Sequence, residues 1–178
     1  EQYGGSGLGV ADAAVLMHTV AKSGGAMSAA SAIHINIFGP NPIVVFGNED
    51  QRKRWLPPLI RGETRTCFGV TEPTAGLDTS SITTRAIRDG DRYVVRGQKI
   101  WTSTAQEADK ILLLARTTPR EECARPFDGI SLFFTNLDRD FVQIREIPKM
   151  GRHAVDSNEV FFDDMPVPIE DRIGEEGK

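Results

Sequence analysis

Two hydrophobic periods divide the chain. Up to about residue 64 apolar side chains return every three to four positions, and from Thr66 onward they alternate. Ala13, Leu16, Met17 and Val20 share one helical face behind Asp12, an acid placed to meet the positive end of a helix dipole. A second helical run, rich in Ala and Ile, covers about residues 28–38. It stops at Gly39-Pro40-Asn41-Pro42, where two prolines lack the N–H needed to continue. Asn48 is spaced to cap a further short helix, which Pro57-Pro58 is expected to end.

In the second part, residues 82–88 and 92–100 flank Asp89-Gly90-Asp91. An Asp-Gly pair between β-prone runs signals a hairpin, because Gly accepts positive φ without a Cβ clash. Runs at Ile111–Thr117, Gly129–Thr135, Phe141–Ile147 and Glu159–Phe162 follow, punctuated by Pro119, Pro126, the Asp138-Arg139-Asp140 stretch, and Pro148 with Gly151. About six short strands with no helices between them predict an antiparallel barrel or orthogonal sandwich. The fold class read from this pattern is α+β: a helical segment over residues 1–64, then an antiparallel β-barrel or orthogonal sandwich over residues 65–178.

Composition narrows the functional classes. With 21 Lys plus Arg against 25 Asp plus Glu, the 178-residue chain carries a formal charge of −4, and its basic residues are dispersed, so no nucleic-acid footprint is expected. The longest purely apolar stretches, such as Ile111–Ala115, are far short of the ~20 residues of a membrane span, and none is expected. The two cysteines, Cys67 and Cys123, have no CxxC spacing, which argues against a disulfide framework and for a reducing compartment, cytoplasm or mitochondrial matrix. The start at Glu1-Gln2-Tyr3 has neither initiator Met nor signal-peptide character and reads as a segment begun partway along a longer protein.

Several common site chemistries do not fit. Gly4-Gly5-Ser6-Gly7-Leu8-Gly9 fails the dinucleotide fingerprint, with Val10 where a small residue is needed and no strand before it. Histidines 18, 34 and 153 fall in different elements without ligand-spaced partners, so no metal is expected, and GxSxG, HExxH and P-loop patterns are missing. What remains is polar and lies in the β part. Phe68-Gly69-Val70-Thr71-Glu72-Pro73-Thr74-Ala75-Gly76-Leu77-Asp78 reads as a strand entering a loop of backbone N–H groups and short hydroxyls, which suits a polar heterocycle or a phosphate. Gly97-Gln98-Lys99-Ile100-Trp101-Thr102-Ser103 ends a strand with an indole beside two hydroxyls. The indole could cover a flat ligand whose edge a hydroxyl bonds; equally, Trp101 could be barrel core and the hydroxyls could close a turn.

These two segments make the chain resemble the acyl-CoA dehydrogenases. FGVTEPTAGLD is similar to that family's V-T-E-P-x-A-G-S-D signature, and GQKIWTS to its G-x-K-x-W-I-T/S segment. EQYGGSGLG, FGNEDQRKRWLPPLIRGE and MGRHAVDSNEVFFDDMPVP match in the same order, so the likeness covers essentially the whole chain. It implies a helical N-terminal domain and a β-barrel middle domain contributing to FAD and acyl-CoA binding, with a C-terminal helical bundle beyond.

Carried across position by position, the resemblance makes Phe68, Val70 and Thr71 line the flavin, the Thr71 hydroxyl meeting its pyrimidine edge. Trp101 packs on the isoalloxazine, Ser103 bonds its N5 side, and Thr102 stands where Ile is usual. Gly76 lets backbone approach cofactor and thioester. Leu77 departs from the family's Ser at a cofactor and substrate contact and cannot donate that hydrogen bond. Glu72 is expected to be a loop acid and Asp78 a loop organiser.

The resemblance also implies a catalytic Glu in the bundle. Since Ile173–Lys178 resembles the linker into it, no catalytic residue is assigned within this chain, which alone is expected to lack turnover and to bind FAD weakly or not at all. Acyl-CoA, an electron-transfer acceptor and a homo-oligomeric partner, tetramer or dimer, are the implied partners. A flavin monooxygenase or nitroalkane-oxidising relative of the same architecture, and a non-catalytic barrel used as a binding module, are the alternative readings.

Overall fold

The computed structural model describes residues 1–178. Helix α1 (Val10–Val20) starts where Asp12 Oδ2 accepts the Gly9 N–H at 2.9 Å, the role its position suggested. A π turn over Ala21–Gly25 leaves helical geometry at Gly24 (φ +98°), and α2 (Ala26–Phe38) then packs beside α1. By length and composition the helical stretch Val10–Phe46, 37 residues containing an 18-residue window of mean hydropathy 1.3, is apolar enough to cross a membrane although no unbroken apolar run in it is long. The break at Gly24 divides it into helices of 11 and 13 residues before Gly39, each shorter than the ~20 a straight span requires.

The structure bears out the first proline stop and corrects the second. Pro40 and Pro42 follow the end of α2 at Phe38, but Pro42 lies in the first turn of a new short helix, α3 (Asn41–Phe46), where a missing N–H has no intrahelical partner to lose. Helix α4 (Glu49–Ile60) runs through Pro57-Pro58 instead of ending at them. Both prolines sit in its last turn, and their carbonyls still accept the N–H groups of Arg61 (3.1 Å) and Glu63 (2.9 Å). Its start is a capping box: Asn48 Oδ1 accepts the Gln51 N–H at 2.8 Å and Gln51 Oε1 accepts the Asn48 N–H at 3.0 Å.

Eight strands follow: β1 (Thr66–Gly69), β2 (Arg85–Asp89), β3 (Arg92–Ser103), β4 (Lys110–Arg116), β5 (Ile130–Asn136), β6 (Val142–Glu146), β7 (Ser157–Pro168) and β8 (Arg172–Ile173). They pair in the order β6-β7-β3-β2-β4-β5-β8, with β1 added beside β4. The β2–β3 hairpin turns on Gly90-Asp91, with Asp89 opposite Arg92 and Gly90 at φ +62°. Pairing is antiparallel except for β1 on β4 and the single contact Arg85 to Arg116, both parallel. Both join strands that are not consecutive in the chain.

Inward side chains of β3, β5 and β7 meet in one core. Tyr93, Val95, Phe133, Met165 and Val167 are fully shielded, and the Tyr93 and Phe133 rings meet edge-on at 5.0 Å. Cys67 is buried there, and burial pushes its thiol up to about 12, so it is an inert hydrophobe. A smaller cluster seats α4 on the sheet: Trp55 and Leu56 pack with Leu112, Phe134 and Ile173, and Trp55 meets Phe134 edge-on at 5.1 Å. Gln51 Nε2 donates to the carbonyls of Glu170 (2.9 Å) and Arg172 (2.8 Å), and Arg54 pairs with Asp171 at 2.7 Å.

The end of α2 is fixed against β1 by an absent side chain. A Cβ at Gly39 would overlap the Phe68 ring and lie 2.6 Å from the Ile35 carbonyl oxygen. Gly39→Ala is therefore expected to lower stability by about 1–3 kcal/mol. Urea unfolding checks this: the midpoint falls while the slope is unchanged.

Candidate functional site

The site is organised by a break in the β3–β7 ladder. Lys99 pairs with Val160 and Thr102 with Asn158, so Ile100 and Trp101 together stand opposite the single residue Glu159. This is a β-bulge, a device that re-aims a side chain. Trp101 takes φ +61°, which for a bulky residue costs about 1–3 kcal/mol and persists only where the surroundings impose it. The result is an indole 57% exposed at the end of a strand, with Thr102 buried and Ser103 half-buried after it.

Trp101 and Ser103 face a cavity of about 440 Å³. Phe68 from β1 shares their wall, and Arg152, in the β6–β7 connection, lies at its rim. The opposite wall is helical: Met17 of α1, and Met27, Ser31, His34 and Ile35 of α2. No hydrogen bond within the chain involves the Ser103 hydroxyl or the Arg152 guanidinium; the side-chain bonds made to these two residues reach their backbone carbonyls. A flat aromatic wall with a free hydroxyl two residues along suits a planar heterocycle with a polar edge, and the volume falls in the usual range for such ligands.

Behind the bulge lies a buried ion pair. Lys99 and Glu72 have side chains 0% and 2% exposed and meet at 2.8 Å. Lys99 Nζ also donates to the Val70 carbonyl at 3.1 Å. The Glu72 carboxylate further accepts the Thr84 N–H (2.9 Å), the Thr83 N–H (2.6 Å) and the Thr83 hydroxyl (2.8 Å). Burial by itself would raise the Glu72 pKa, but the charge and hydrogen bond of Lys99 and those threonine donors outweigh it and hold the carboxyl at about 2. Burial pulls the Lys99 pKa down, with Glu72 partly offsetting it. Glu72 is thus a saturated, ionised acid that binds three chain segments together.

The residues singled out in the sequence occupy three settings. Phe68, Trp101 and Ser103 converge on the cavity. Val70 and Thr71 are half-buried beside the ion pair, and the Thr71 carbonyl accepts the Ile100 N–H at 2.9 Å; neither side chain lines that cavity. Thr102 points into the interior, its hydroxyl without a partner and its carbonyl accepting from Asn158 Nδ2 at 2.9 Å. Gly76 and Leu77 are at an exposed loop tip, where a Cβ on Gly76 would touch nothing and Leu77 is fully exposed. Asp78 holds that loop from behind, accepting the Ser80 N–H at 3.1 Å and the hydroxyls of Ser80 and Ser81.

The helical wall and the part played by Lys99 were not anticipated. The signal for Lys99 was its place in the alternation, a charge at a core-facing position; for Ser31 and His34 it was two polar residues three apart in a run of Ala and Ile.

Comparison with known proteins places this geometry in a family. Residues 67–165 match the acyl-CoA dehydrogenase middle domain and residues 1–63 the acyl-CoA dehydrogenase N-terminal domain. The chain belongs to the acyl-CoA dehydrogenase family, a family of flavoproteins. It is 32% identical over 176 residues to acyl-CoA dehydrogenase FadE26 of Mycobacterium tuberculosis, covering 99% of this chain and 42% of that protein. It superposes on an acyl-CoA dehydrogenase of Geobacillus kaustophilus with a TM-score of 0.89 at 35% identity, and on the FAD complex of PigA with a TM-score of 0.90 at 27% identity. Each superposition covers 99% of this chain, but 46% and 45% of the respective partners, so the chain spans less than half the length of the relatives it matches.

Because Glu72 is held below the unfolded carboxylate value of ~4.3, its ionised form stabilises the fold above that pH, and the contribution is lost as pH falls toward about 2. Lys99→Met strands the carboxylate in the interior and is expected to cost about 3–5 kcal/mol near neutrality. The variant should also lose stability more slowly than the parent on acidification, since a carboxyl without its cation gains from protonation. Urea midpoints across an acid pH series measure both effects.

Proposed function

We propose that these residues form the N-terminal and middle parts, divided near residue 64, of an FAD-dependent acyl-CoA dehydrogenase that oxidises the Cα–Cβ bond of an acyl-CoA thioester. The observation that carries this reading is the bulge at Ile100-Trp101, which turns the indole and the free Ser103 hydroxyl toward one open cavity. The chemistry FAD supplies when bound is two-electron oxidation: the α-proton goes to a base, the β-hydride to flavin N5, and the Cα–Cβ bond becomes double.

In this reading Trp101 and Phe68 cover the ring system and exclude water from it, and Ser103 donates to its polar edge. Val70 and Thr71, held by the ion pair, contribute from the adjoining loop. Thr102 acts only by fixing the strand, since its side chain faces inward. At the loop tip Gly76 leaves space for cofactor and thioester, and Leu77 offers an apolar surface where a hydroxyl is usual, so a pyrophosphate there would rely on backbone N–H groups. No carboxylate lines the cavity and Glu72 is fully engaged. The base therefore comes from outside these residues. The free thiols Cys67 and Cys123 fit a reducing compartment, bacterial cytosol or mitochondrial matrix. An electron-transfer acceptor and a homo-oligomer are the partners the reading entails.

The test uses the full-length protein. It should purify with FAD, and anaerobic addition of acyl-CoA should bleach the flavin absorbance. Trp101→Ala should weaken FAD binding by about tenfold or more. A full-length protein that takes up no FAD, or whose flavin no acyl-CoA reduces, overturns the reading. Residues 1–178 alone should show no acyl-CoA-dependent reduction of an electron acceptor.

A further inference from the structure

Positions 27, 31 and 34 of α2 fall on one helical stripe, and that stripe is the wall of the cavity opposite Trp101 and Ser103. For a simple alkyl ligand the fitting side chains there would be Leu, Ile or Phe. The stripe instead reads Met27, Ser31, His34. Neither the Ser31 hydroxyl nor either His34 ring nitrogen is hydrogen-bonded to any group of the chain; the imidazole only leans on Phe38, with ring centroids 5.0 Å apart. Thr19, Ser23 and Asn36 of the same helical stretch instead bond the helix itself, donating to the Val15, Val20 and Ala32 carbonyls. Ser31 is half-buried and His34 exposed, so both can bond a group brought into the cavity.

Building on the proposed function, which places the flavin against Trp101 and Ser103, we infer that the acyl group packed between flavin and α2 carries an oxygen function of its own, a hydroxyl or a keto group remote from the thioester, which His34 and Ser31 bind. The chemistry is asymmetric. An acyl chain with a hydroxyl or carbonyl at the right depth satisfies the imidazole and the serine hydroxyl as they lose water. A plain alkyl chain of the same length desolvates both and returns nothing. Met27, unbranched and adaptable, lets the wall adjust to a bulky group beside that contact.

The test compares substrates on the full-length flavoprotein. A length series of ω-hydroxyacyl-CoA thioesters and ring-borne keto acyl-CoAs is set beside the unsubstituted parents, with the rate of anaerobic flavin bleaching as readout. At least one oxygenated thioester should exceed its parent in kcat/KM by about tenfold or more. His34→Leu should erase or reverse that preference by slowing the oxygenated substrate and sparing or speeding the parent, and Ser31→Ala should do so in part. Flavin content equal to that of the parent shows that each variant is folded. If every alkyl parent matches or exceeds its oxygenated partner, or if His34→Leu and Ser31→Ala leave the ratio unchanged, the inference is overturned while the dehydrogenase reading stands. If no acyl-CoA of either kind reduces the flavin, both fall together.

Discussion

An ammonium and a carboxylate removed from water hold the rest of the site in place. Apolar side chains of the same volume could fill the space of Lys99 and Glu72 at no loss of stability, since desolvation of a buried pair consumes much of its attraction. They could not fix the backbone as this pair does. Glu72 gathers the N–H groups of Thr83 and Thr84, which precede β2, while Lys99 reaches from β3 to the Val70 carbonyl after β1. Three segments distant in sequence are thereby set at one point, two residues before the strained Trp101. The positive φ of that residue persists because Lys99 on one side and the Thr102-Asn158 contact on the other leave the strand no room to relax.

The second wall depends on a different kind of constraint. No ion pair links α2 to the barrel; its end is positioned by the close approach of Gly39 to Phe68 and, through α3, by the apolar seat of Trp55 and Leu56 on β4 and β5. Phe68 thus serves two purposes, packing against the helix backbone with one part of its ring and lining the cavity with another. The cavity exists between helices and strands only because packing behind it sets their separation, so a change in the α4 seat would reach the ligand wall without touching it.

Periodicity made the architecture readable. The change from a spacing of three to four to a spacing of two, the Asp-Gly hairpin and the Asn48 cap each act through neighbours in sequence, and each appears where local chemistry placed it. Long-range geometry was less legible. Pro57-Pro58 read as a stop because the last turn of a helix cannot be told from its middle without knowing where the chain turns. The parallel placement of β1 on β4 depends on a crossover whose direction no alternating pattern encodes. For the cavity wall, the motif carried Trp101 and Ser103 together with Thr102, whose side chain faces the interior because a bulge shifts the alternation by one. Lys99 was overlooked since a lysine in a strand ordinarily faces water, and only its partner Glu72, on the loop between β1 and β2, makes burial tolerable.

The loop tip shows how the fold separates what must be fixed from what is free to vary. From Asp78 back to Glu72 the loop is pinned at both ends, by serine donors at one and threonine donors at the other. Between them Gly76 and Leu77 contact nothing else in the chain. A substitution there changes the chemistry offered to a ligand at almost no cost to folding. The strand end is the opposite case: Trp101 is held by strain, a bulge and a buried ion pair, so its direction is a property of the whole middle sheet. A ligand that needs both regions therefore meets one rigid aromatic face and one adjustable rim, and differences in selectivity between members of such a fold are expected to collect at the rim and at exposed α2 positions such as Met27 and His34.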